Sequence, residues 1–244
     1  MFKEVIMKKI YAINGSPRRN RNTATLLDKV LEGARKDDPD VLTERIDLYT
    51  LKYTGCISCF ACKRKGGSSY GKCAVHDDLH DVLVKLADAD AVVFGSPIYY
   101  RTITGQLHAF YERFFFPYMQ YKVGYPNLVE NKIPTACIYT MNVMEDEMVR
   151  DGYQNYIGLF EKFLEMYFQK PLVLYAFNTY QFDNYDKYVC EVFSKEEKAA
   201  YRDKHFPEDC QKAFAIGKQL LARAWYKSQS SWYLKALFCK EIFL

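Results

Sequence analysis

Long apolar runs, an export signal and extended basic blocks are all missing from this chain of 244 residues. No apolar run approaches the roughly 18 residues that a membrane helix needs, and residues 1–9 lack the apolar core of a signal peptide. The cluster Lys63–Lys65 is too short for a nucleic-acid-binding arm, and the formal net charge is only +4. The sequence therefore predicts a soluble cytoplasmic protein with no nucleic-acid or membrane partner.

Two common nucleotide-binding motifs are also missing. Without GxGxxG, a dinucleotide held firmly on the first βα turn is disfavoured, and without GxxxxGK[ST] an NTPase has little support. The four histidines have no spacing that suggests a metal site, and no Ser-His-Asp order stands out. The chemistry must therefore come from other residues.

Tyrosine and phenylalanine are abundant instead, with 21 and 17 copies. Core packing explains many of them, and tyrosines also suit a pocket or interface where a ring and a hydroxyl are both useful. The chain has eight cysteines, which in the absence of an export signal indicate reduced thiols or a metal site rather than disulfides.

The stretch Lys8–Leu31 combines a strand, a polar loop and a helix. Ile10–Ile13 is a short apolar run typical of a buried strand, and apolar residues recur at helical spacing later in the stretch. The loop Ser16–Thr25 between them carries three arginines and three hydroxyl residues. An ordinary turn capped by Asn22 or Thr23 is the alternative, but so many donors at a helix N-terminus favour a phosphate site.

Four further apolar runs predict strands that alternate with helices, at residues 41–49, 91–94, 133–139 and 171–177. We expect helices to begin at Asp77 or Asp78 and at Thr104, and a capping box of Ser194 and Glu197 before the last long helix. This alternation predicts one α/β domain with a parallel sheet and helices on both faces.

Three segments interrupt or follow this predicted domain, which spans residues 1–227. Residues 55–75 form a cysteine-rich loop, and residues 116–132 form an aromatic insertion with too many prolines and glycines for a helix. The apolar tail, residues 228–244, either packs on the chain's own surface or reaches across a homodimer as an arm.

In an open parallel sheet, ligands bind beyond the carboxyl ends of the strands where the strand order reverses. Three loops meet that description here, at residues 16–25, 96–104 and 140–155. The first suits a phosphate, and the second, GSPIYYRTITG, offers Pro97 and the side chains of residues 98–100 to a flat ring. A planar aromatic system carrying one phosphate group fits both loops, and FMN matches that description.

Three blocks within residues 8–116 carry a family resemblance: NGSPRRNRNTATLL, the cysteine block GC-x2-C-x2-C…C-x3-DD, and ADAVVFGSPIYYRTITGQLHAFYERF. Together they resemble the flavodoxin-like NADPH-dependent FMN reductase and iron–sulfur flavoprotein group. The resemblance implies a flavodoxin-like, doubly wound five-stranded parallel sheet in the order 2-1-3-4-5. It also implies bound FMN, electrons from NAD(P)H or a redox partner, and a homodimer.

The resemblance also assigns residues to the cofactor by position. Those for the FMN phosphate and ribityl chain are Ser16, Arg18, Asn22, Thr23, Ala24 and Thr25. Those for the isoalloxazine ring are Pro97, Ile98, Tyr99 and Tyr100, with Thr102 beside them. The third loop, with Thr140, Met141 and Asn142, matches only by its place in the fold.

Cys56, Cys59 and Cys62 form a C-x2-C-x2-C motif, and Cys73 follows after ten residues. Three thiolates at this spacing can wrap one corner of a [4Fe–4S] cluster, and the fourth completes the site. Related iron–sulfur flavoproteins have a more compact stretch where this chain inserts KRKGGSSYGK. A cysteine loop without metal and a tetrahedral zinc site are the alternatives.

These features predict an FMN-dependent NAD(P)H oxidoreductase. The aromatic insertion favours a flat acceptor: a quinone, a nitroaromatic, or the activated C=C bond of an enone or polyphenol, as in an ene-reductase. Tyr99 and Tyr100 are candidate proton donors, with structural tyrosines as the alternative. Four arginines favour NADPH over NADH, although the first three can also serve FMN: Arg18, Arg19, Arg21 and Arg101. A [4Fe–4S]/FMN electron carrier between protein partners is the alternative function, and a flavin-binding redox sensor is a third.

Overall fold

Five parallel strands form one sheet in the computed structural model, which describes residues 7–240, and the side chains of residues 7–226. The strands are β1 (Lys9–Asn14), β2 (Leu42–Asp47), β3 (Ala91–Pro97), β4 (Thr135–Thr140) and β5 (Leu172–Ala176). The helices are α1 (Asn22–Asp37), α2 (Asp78–Ala87), α3 (Gly105–Phe115), α4 (Glu145–Arg150), α5 (Tyr153–Tyr167) and α6 (Lys195–Lys240). No helix in this range is long and apolar enough to cross a membrane.

The strand order is β2-β1-β3-β4-β5, and all four neighbouring pairs are parallel. The predicted flavodoxin-like sheet is therefore confirmed. Strands β2, β4 and β5 are shorter than the predicted runs, because residues 48–50 turn into a 3₁₀ helix and residues 133–134 precede β4, whereas β1 and β3 are longer. The short helix α4 was not predicted.

Side-chain caps fix where three helices begin. Asp77 Oδ1 accepts from the Leu79 N–H at 3.1 Å, and Thr104 Oγ1 accepts from the Leu107 N–H at 3.3 Å. Ser194 Oγ accepts from the Glu197 N–H at 3.2 Å, which is the Ser194 half of the predicted capping box. The sequence thus places the starts of α2, α3 and α6 correctly.

The two faces of the sheet have different cores. Alternate residues of each strand point to opposite faces, so Tyr11 and Ile13 join one core while Ile10 and Ala12 join the other. Helices α2, α3 and α5 cover the first face with packed aromatic rings, among them Phe110 and Phe114 at 5.4 Å between centroids. Helices α1 and α6 cover the second face with aliphatic and small residues.

Two glycines let α1 and α6 pack backbone against backbone. A Cβ on Gly217 would lie 1.9 Å from the Val30 carbonyl oxygen, and one on Gly33 would lie 2.0 Å from that of Phe214. Only glycine permits such an approach. Helix α6 then continues through the predicted boundary at residue 227 to Lys240. The side chains of the tail, residues 228–244, lie outside those described, so its docking and the boundary itself stay predictions.

Candidate functional site

The loops that follow β1 and β3 are joined by hydrogen bonds at their base. The Gly15 N–H donates to the Gly95 carbonyl at 2.8 Å, and Thr104 Oγ1 donates to the Gly15 carbonyl at 2.7 Å. Ser96 Oγ accepts from the Thr104 N–H at 3.1 Å. The first two predicted loops therefore lie side by side at the carboxyl edge of the sheet.

The loop after β4 reaches the same place. Thr23 Oγ1 and Thr140 Oγ1 lie 2.8 Å apart in a buried contact between the first and third loops. The Ile98 N–H donates to the Thr140 carbonyl at 2.9 Å, which ties the third loop to the second. All three loops predicted from the strand order thus meet.

The N-terminus of α1 is suited to an anion. Its first residue follows Arg21, and within the described residues no side chain caps it and no acidic residue stands in its first turn. The alternative of a turn capped by Asn22 or Thr23 is therefore wrong. The loop is held from within, because Asn14 Oδ1 accepts from the Ser16 N–H at 3.0 Å. Free N–H groups and the positive dipole end fit a phosphate group such as that of FMN.

A segment after β5, residues 178–188, lies over this loop, and we call it the strap. Asn22 Nδ2 donates to the Tyr180 carbonyl at 2.9 Å, the Arg18 guanidinium donates to the Gln181 carbonyl, and Arg21 pairs with Asp183. The loop and the strap line an open groove of about 450 Å³. Two predicted phosphate ligands, Arg18 and Asn22, thus contact carbonyl oxygens of the strap.

Arg19 turns to the β2 edge instead. Its Nε lies 3.0 Å from Asp47 Oδ2, and Asp47 also accepts from Asn14 and Arg45. Burial acts most strongly on the pKa of Asp47 and raises it, but these three hydrogen bonds together hold that pKa below its ordinary value. Asp47 is therefore a charged anchor for the loop.

The second loop contains a strained turn. The Tyr99 N–H donates to the Thr102 carbonyl at 2.9 Å and the Thr102 N–H donates back at 3.1 Å. Tyr100 and Arg101 between them have φ of 48° and 70°, where non-glycine residues are rare. Such conformations cluster at functional sites and cost on the order of 1–3 kcal/mol each.

The side chains of this turn differ in exposure. Pro97 and Ile98 are half-buried, Tyr99 is partly exposed and Tyr100 is fully exposed. Burial is the main cause that raises the pKa of Tyr99, so its phenol keeps its proton. Tyr99 can therefore donate a hydrogen bond at this edge, and the roles of both tyrosines stay predictions.

All predicted flavin residues lie at the carboxyl edge, but some side chains face the core. Ala24 and Met141 are buried there, so only their backbone can reach a ligand. The Met141 carbonyl already accepts from Thr179 N and Oγ1, at 2.9 and 3.1 Å. Arg101 lies over the Tyr153 ring at 5.6 Å.

Lys198 is a residue at this edge that the sequence analysis missed. It lies on α6, is 2% exposed, and its ammonium donates to the Asn142 carbonyl at 3.3 Å and to the Asn142 side chain. Burial lowers its pKa to about 8. Nothing in SKEEKAAYRDK separates this lysine from its solvated neighbours, so no sequence signal could have identified it.

The four cysteines of the cysteine loop, residues 55–75, line one small cavity against α3. Cys56 and Cys59 are exposed, Cys62 is buried and Cys73 is half-buried. Within the described side chains, no three cysteines, histidines or acids are placed to hold one metal ion. This argues against the zinc alternative, which needs four ligands around a single point.

Residues at the end of α3 fasten the first part of this loop. Glu112 Oε2 accepts from the Cys56 N–H at 2.9 Å. The Lys63 ammonium donates to the Pro117 carbonyl at 3.1 Å and to the carbonyls of Phe116 and Met119. The cysteine loop and the start of the aromatic insertion therefore form one unit.

An aromatic groove of about 490 Å³ opens beside the cysteine cavity. Its lining includes Phe60, Tyr111, Phe116, Met119, Tyr121 and Phe163. The predicted aromatic insertion thus contributes to a concave apolar surface.

The family comparison covers the first two loops and the cysteines. A family model described as NADPH-dependent FMN reductase matches residues 8–133. The chain belongs to this family. As a member of the NADPH-dependent FMN reductase family, it carries three loops within the match: Ser16–Thr25, which we call the phosphate loop after its predicted ligand, the cysteine loop, and Ser96–Tyr100, which we call the SPIYY turn. Strands β4 and β5 and helix α6 lie beyond the match.

Curated relatives of this FMN reductase family member are iron–sulfur flavoproteins. One from Methanocaldococcus jannaschii is 33% identical over 105 residues, or 43% of this chain and 51% of that protein. One from Archaeoglobus fulgidus is 38% identical over 97 residues, or 40% of this chain and 44% of that protein. The chain thus spans about half the length of the curated relatives it matches.

Solved structures confirm the fold of this family member at low sequence identity. An azoreductase from Bacillus anthracis has a TM-score of 0.64 and 14% identity, and the match covers 87% of this chain and all of that one. The NAD(P)H:quinone oxidoreductase from Methanothermobacter marburgensis has the same score and identity over 88% and 99% of the two chains. A flavone reductase has a TM-score of 0.53 and 18% identity, over 88% and 62%.

Proposed function

We propose that this chain is an FMN-dependent oxidoreductase that takes hydride from NAD(P)H and reduces a small aromatic or conjugated acceptor. The single observation that carries the proposal is the meeting of three loops at an uncapped helix N-terminus. The description of the matching family, NADPH-dependent FMN reductase, supports FMN as the cofactor and NADPH as the electron donor. FMN, when bound, supplies reversible hydride and single-electron chemistry.

The chain's own residues would bind and orient the cofactor. The N–H groups at the start of α1 suit the phosphate. The buried hydroxyls of Ser16 and Thr23 lie beside them and now contact the Arg18 N–H and Thr140. Arg18 and Asn22 lie on the same turn, with donors that strap carbonyls now occupy. The SPIYY turn offers Ile98 and Tyr99 to the ring, and the protonated Tyr99 phenol is our candidate proton donor.

The acceptor class rests on the names of the structural neighbours. Azo compounds, quinones and flavones, which those names state for the neighbours, share flat conjugated rings. The exposed arginines of the phosphate loop support NADPH as the donor. We further propose that the protein acts in the cytoplasm as a homodimer.

The test begins with anaerobic titration of the purified chain with FMN, followed by flavin fluorescence. NADPH and NADH are then compared as reductants by flavin absorbance, and a quinone, an azo dye, a nitroaromatic and an enone as oxidants. We expect tight FMN binding, faster reduction by NADPH, and reoxidation by at least one acceptor. A chain that binds no FMN contradicts the proposal, as does reduced flavin that no acceptor reoxidises.

A second function is favoured by the cysteine loop. We propose that Cys56, Cys59, Cys62 and Cys73 hold a [4Fe–4S] cluster, so that single electrons pass between it, the flavin and a protein partner. All four thiols line one small cavity, which brings together the four sulfur ligands that such a cluster needs. The curated relatives are named iron–sulfur flavoproteins.

Iron and sulfide analysis after anaerobic reconstitution tests the cluster directly. We expect about four irons and four sulfides per chain, with loss of both in Cys62→Ser. Cys137→Ser is the matched control, since this buried cysteine lies on β4, away from the cysteine loop. Flavin absorbance without iron or sulfide would contradict the cluster and leave the FMN enzyme intact.

A further inference from the structure

Arg113 on α3 is a buried arginine, 2% exposed, whose five N–H groups all have acceptors. Nη1 donates to the Thr54 carbonyl at 3.2 Å, and Nη2 donates to the Val75 carbonyl at 3.1 Å. The two remaining terminal N–H groups bind the Asp77 carboxylate, with Nη2 2.9 Å from Oδ1. The fifth donor, Nε, lies 3.4 Å from Cys73 Sγ.

These contacts close the cysteine loop. Thr54 precedes its first residue and Val75 is its last, so one guanidinium binds both ends. The position of Cys73 is therefore fixed by α3 and does not depend on the inserted KRKGGSSYGK. This contact holds Cys73 beside α3 although ten inserted residues separate it from Cys62.

The guanidinium is also electrically balanced. Asp77 pairs with it in the bidentate geometry that arginine and carboxylate favour. Asp77 in turn accepts from the Leu79 N–H at the start of α2. The pair is thus anchored on two helices, and its one remaining N–H points at a cluster-forming sulfur.

We propose that Arg113 is a positioning residue that sets the reduction potential of the [4Fe–4S] cluster through the Nε–H···Sγ hydrogen bond to Cys73. This inference rests on the proposed cluster. Hydrogen bonds and positive charge at a ligating sulfur stabilise the more negative, reduced cluster and so raise its potential. Removal of the Nε–H donor lowers the potential, and removal of the Asp77 charge raises it.

The experiment uses the full chain reconstituted with iron and sulfide, as wild type, Arg113→Lys and Asp77→Asn. Iron and sulfide per chain are measured first, and circular dichroism checks the fold. Each cluster then takes up one electron in an anaerobic dithionite titration, followed by electron paramagnetic resonance. Arg64→Lys is the matched control, because Arg64 is exposed on the same loop.

We expect Arg113→Lys to shift the reduction equilibrium about tenfold towards the oxidised cluster, or about 59 mV for a one-electron couple. Asp77→Asn should shift it in the opposite direction, and Arg64→Lys should leave it unchanged. Lysine keeps the positive charge but lacks the Nε–H that donates to Cys73. If Arg113 had only a structural role, all variants that bind the cluster would therefore have the same reduction potential. Asp77→Asn keeps the proposal testable if Arg113→Lys does not fold.

Equal potentials in wild type and Arg113→Lys would overturn the inference, as would an equal shift in Arg64→Lys. A wild-type chain that binds no iron would overturn it together with the proposed cluster. That result would leave the FMN enzyme standing, because flavin titration measures that function separately.

Discussion

The phosphate loop and the cysteine loop both lie beside the sheet, but they use arginine in opposite ways. Arg18, Arg19 and Arg21 are exposed and contact the strap or the β2 edge. Arg113 is buried and makes five hydrogen bonds at the ends of the cysteine loop. The arginines of the phosphate loop are exposed, so a soluble anion can reach them. Arg113 is buried, and its charge serves to hold the cysteine loop in place.

The two loops also differ in how far protein contacts alone already fix their conformation. The start of α1 offers backbone donors that no side chain in the described part of the chain caps. The cysteine loop is fastened by Glu112, Lys63 and Arg113 without any metal. We therefore expect substitutions in the phosphate loop to change mainly ligand affinity. Substitutions in α3 that touch the cysteine loop should change mainly the free energy of unfolding.

The largest effect is expected from Arg113→Met. This change removes the buried guanidinium that pairs with the half-buried Asp77 and two loop carbonyls, and should lower the free energy of unfolding by about 3 kcal/mol, the lower end for breaking a buried ion pair. Arg19→Met is the matched change in the phosphate loop and should cost less than about 1 kcal/mol, because its ion pair is exposed. Urea unfolding at pH 7 measures both. Similar losses in the two variants would remove the contrast between the loops.

Arg18→Ala combined with Thr23→Ala tests the phosphate loop as a ligand site. The double change removes one charge-assisted hydrogen bond to phosphate and the buried Thr23–Thr140 contact that holds the first turn of α1, about 3 kcal/mol together, and should weaken FMN binding about 100-fold. Riboflavin lacks the phosphate, so its affinity should not change. Fluorescence titration with both ligands gives the two dissociation constants. An unchanged FMN affinity, or an equal loss for riboflavin, would show that the phosphate binds elsewhere.

Lys198 provides a second buried cation to compare with Arg113. Its hydrogen-bond partner is the neutral Asn142, whereas Arg113 is paired with a carboxylate. Its pKa of about 8 in the folded chain lies below the ordinary 10.5, so the unfolded chain binds more protons between those pH values. Stability from this group therefore rises with pH over that interval, by roughly 3 kcal/mol in total. Lys198→Met should lack this rise.

Urea midpoints at pH 7, 8, 9 and 10 measure the effect as the difference between wild type and variant. Lys204→Met provides the control, since Lys204 is exposed on the same helix. A difference between wild type and Lys198→Met that stays constant over this range would contradict the buried ammonium.

The smallest effect is expected at acid pH. Burial tends to raise the pKa of Asp77, but hydrogen bonds and charge from Arg113 outweigh it and hold that pKa below the ordinary 3.8. The ionised carboxylate therefore stabilises the fold above pH 3.8, and this contribution is lost as the pH falls through the lower, folded-state pKa. Urea midpoints from pH 6 to pH 3 should fall less in Asp77→Asn than in wild type. Parallel curves would contradict the pairing.

Much of the fold was predictable from sequence because its signals are local. Apolar runs and caps such as Thr104 determine the elements, and the strand order follows from the family resemblance. The three ligand loops follow from the rule that parallel strands end at one edge. Asn22 and Arg18 were placed at the right loop, although their contacts with the strap were not foreseen.

The rest depends on contacts between distant segments. Arg113 stands in HAFYERFFF, where a charged residue between aromatics suggests a solvated position, and its acid partner is 36 residues away. The strap has neither helical nor strand periodicity, so nothing local shows that Tyr180 lies beside Asn22, 158 residues earlier. Such contacts appear only once the sheet order has brought the loops together.

The contacts of Gly33 and Gly217 with the opposite helix fix α1 and α6 backbone against backbone. Both helices begin at the carboxyl edge, α1 at the phosphate loop and α6 near Lys198. Backbones in direct contact cannot slide without steric overlap. The N-terminus of α1, which offers its N–H groups at the carboxyl edge, is therefore braced by α6 through these backbone contacts.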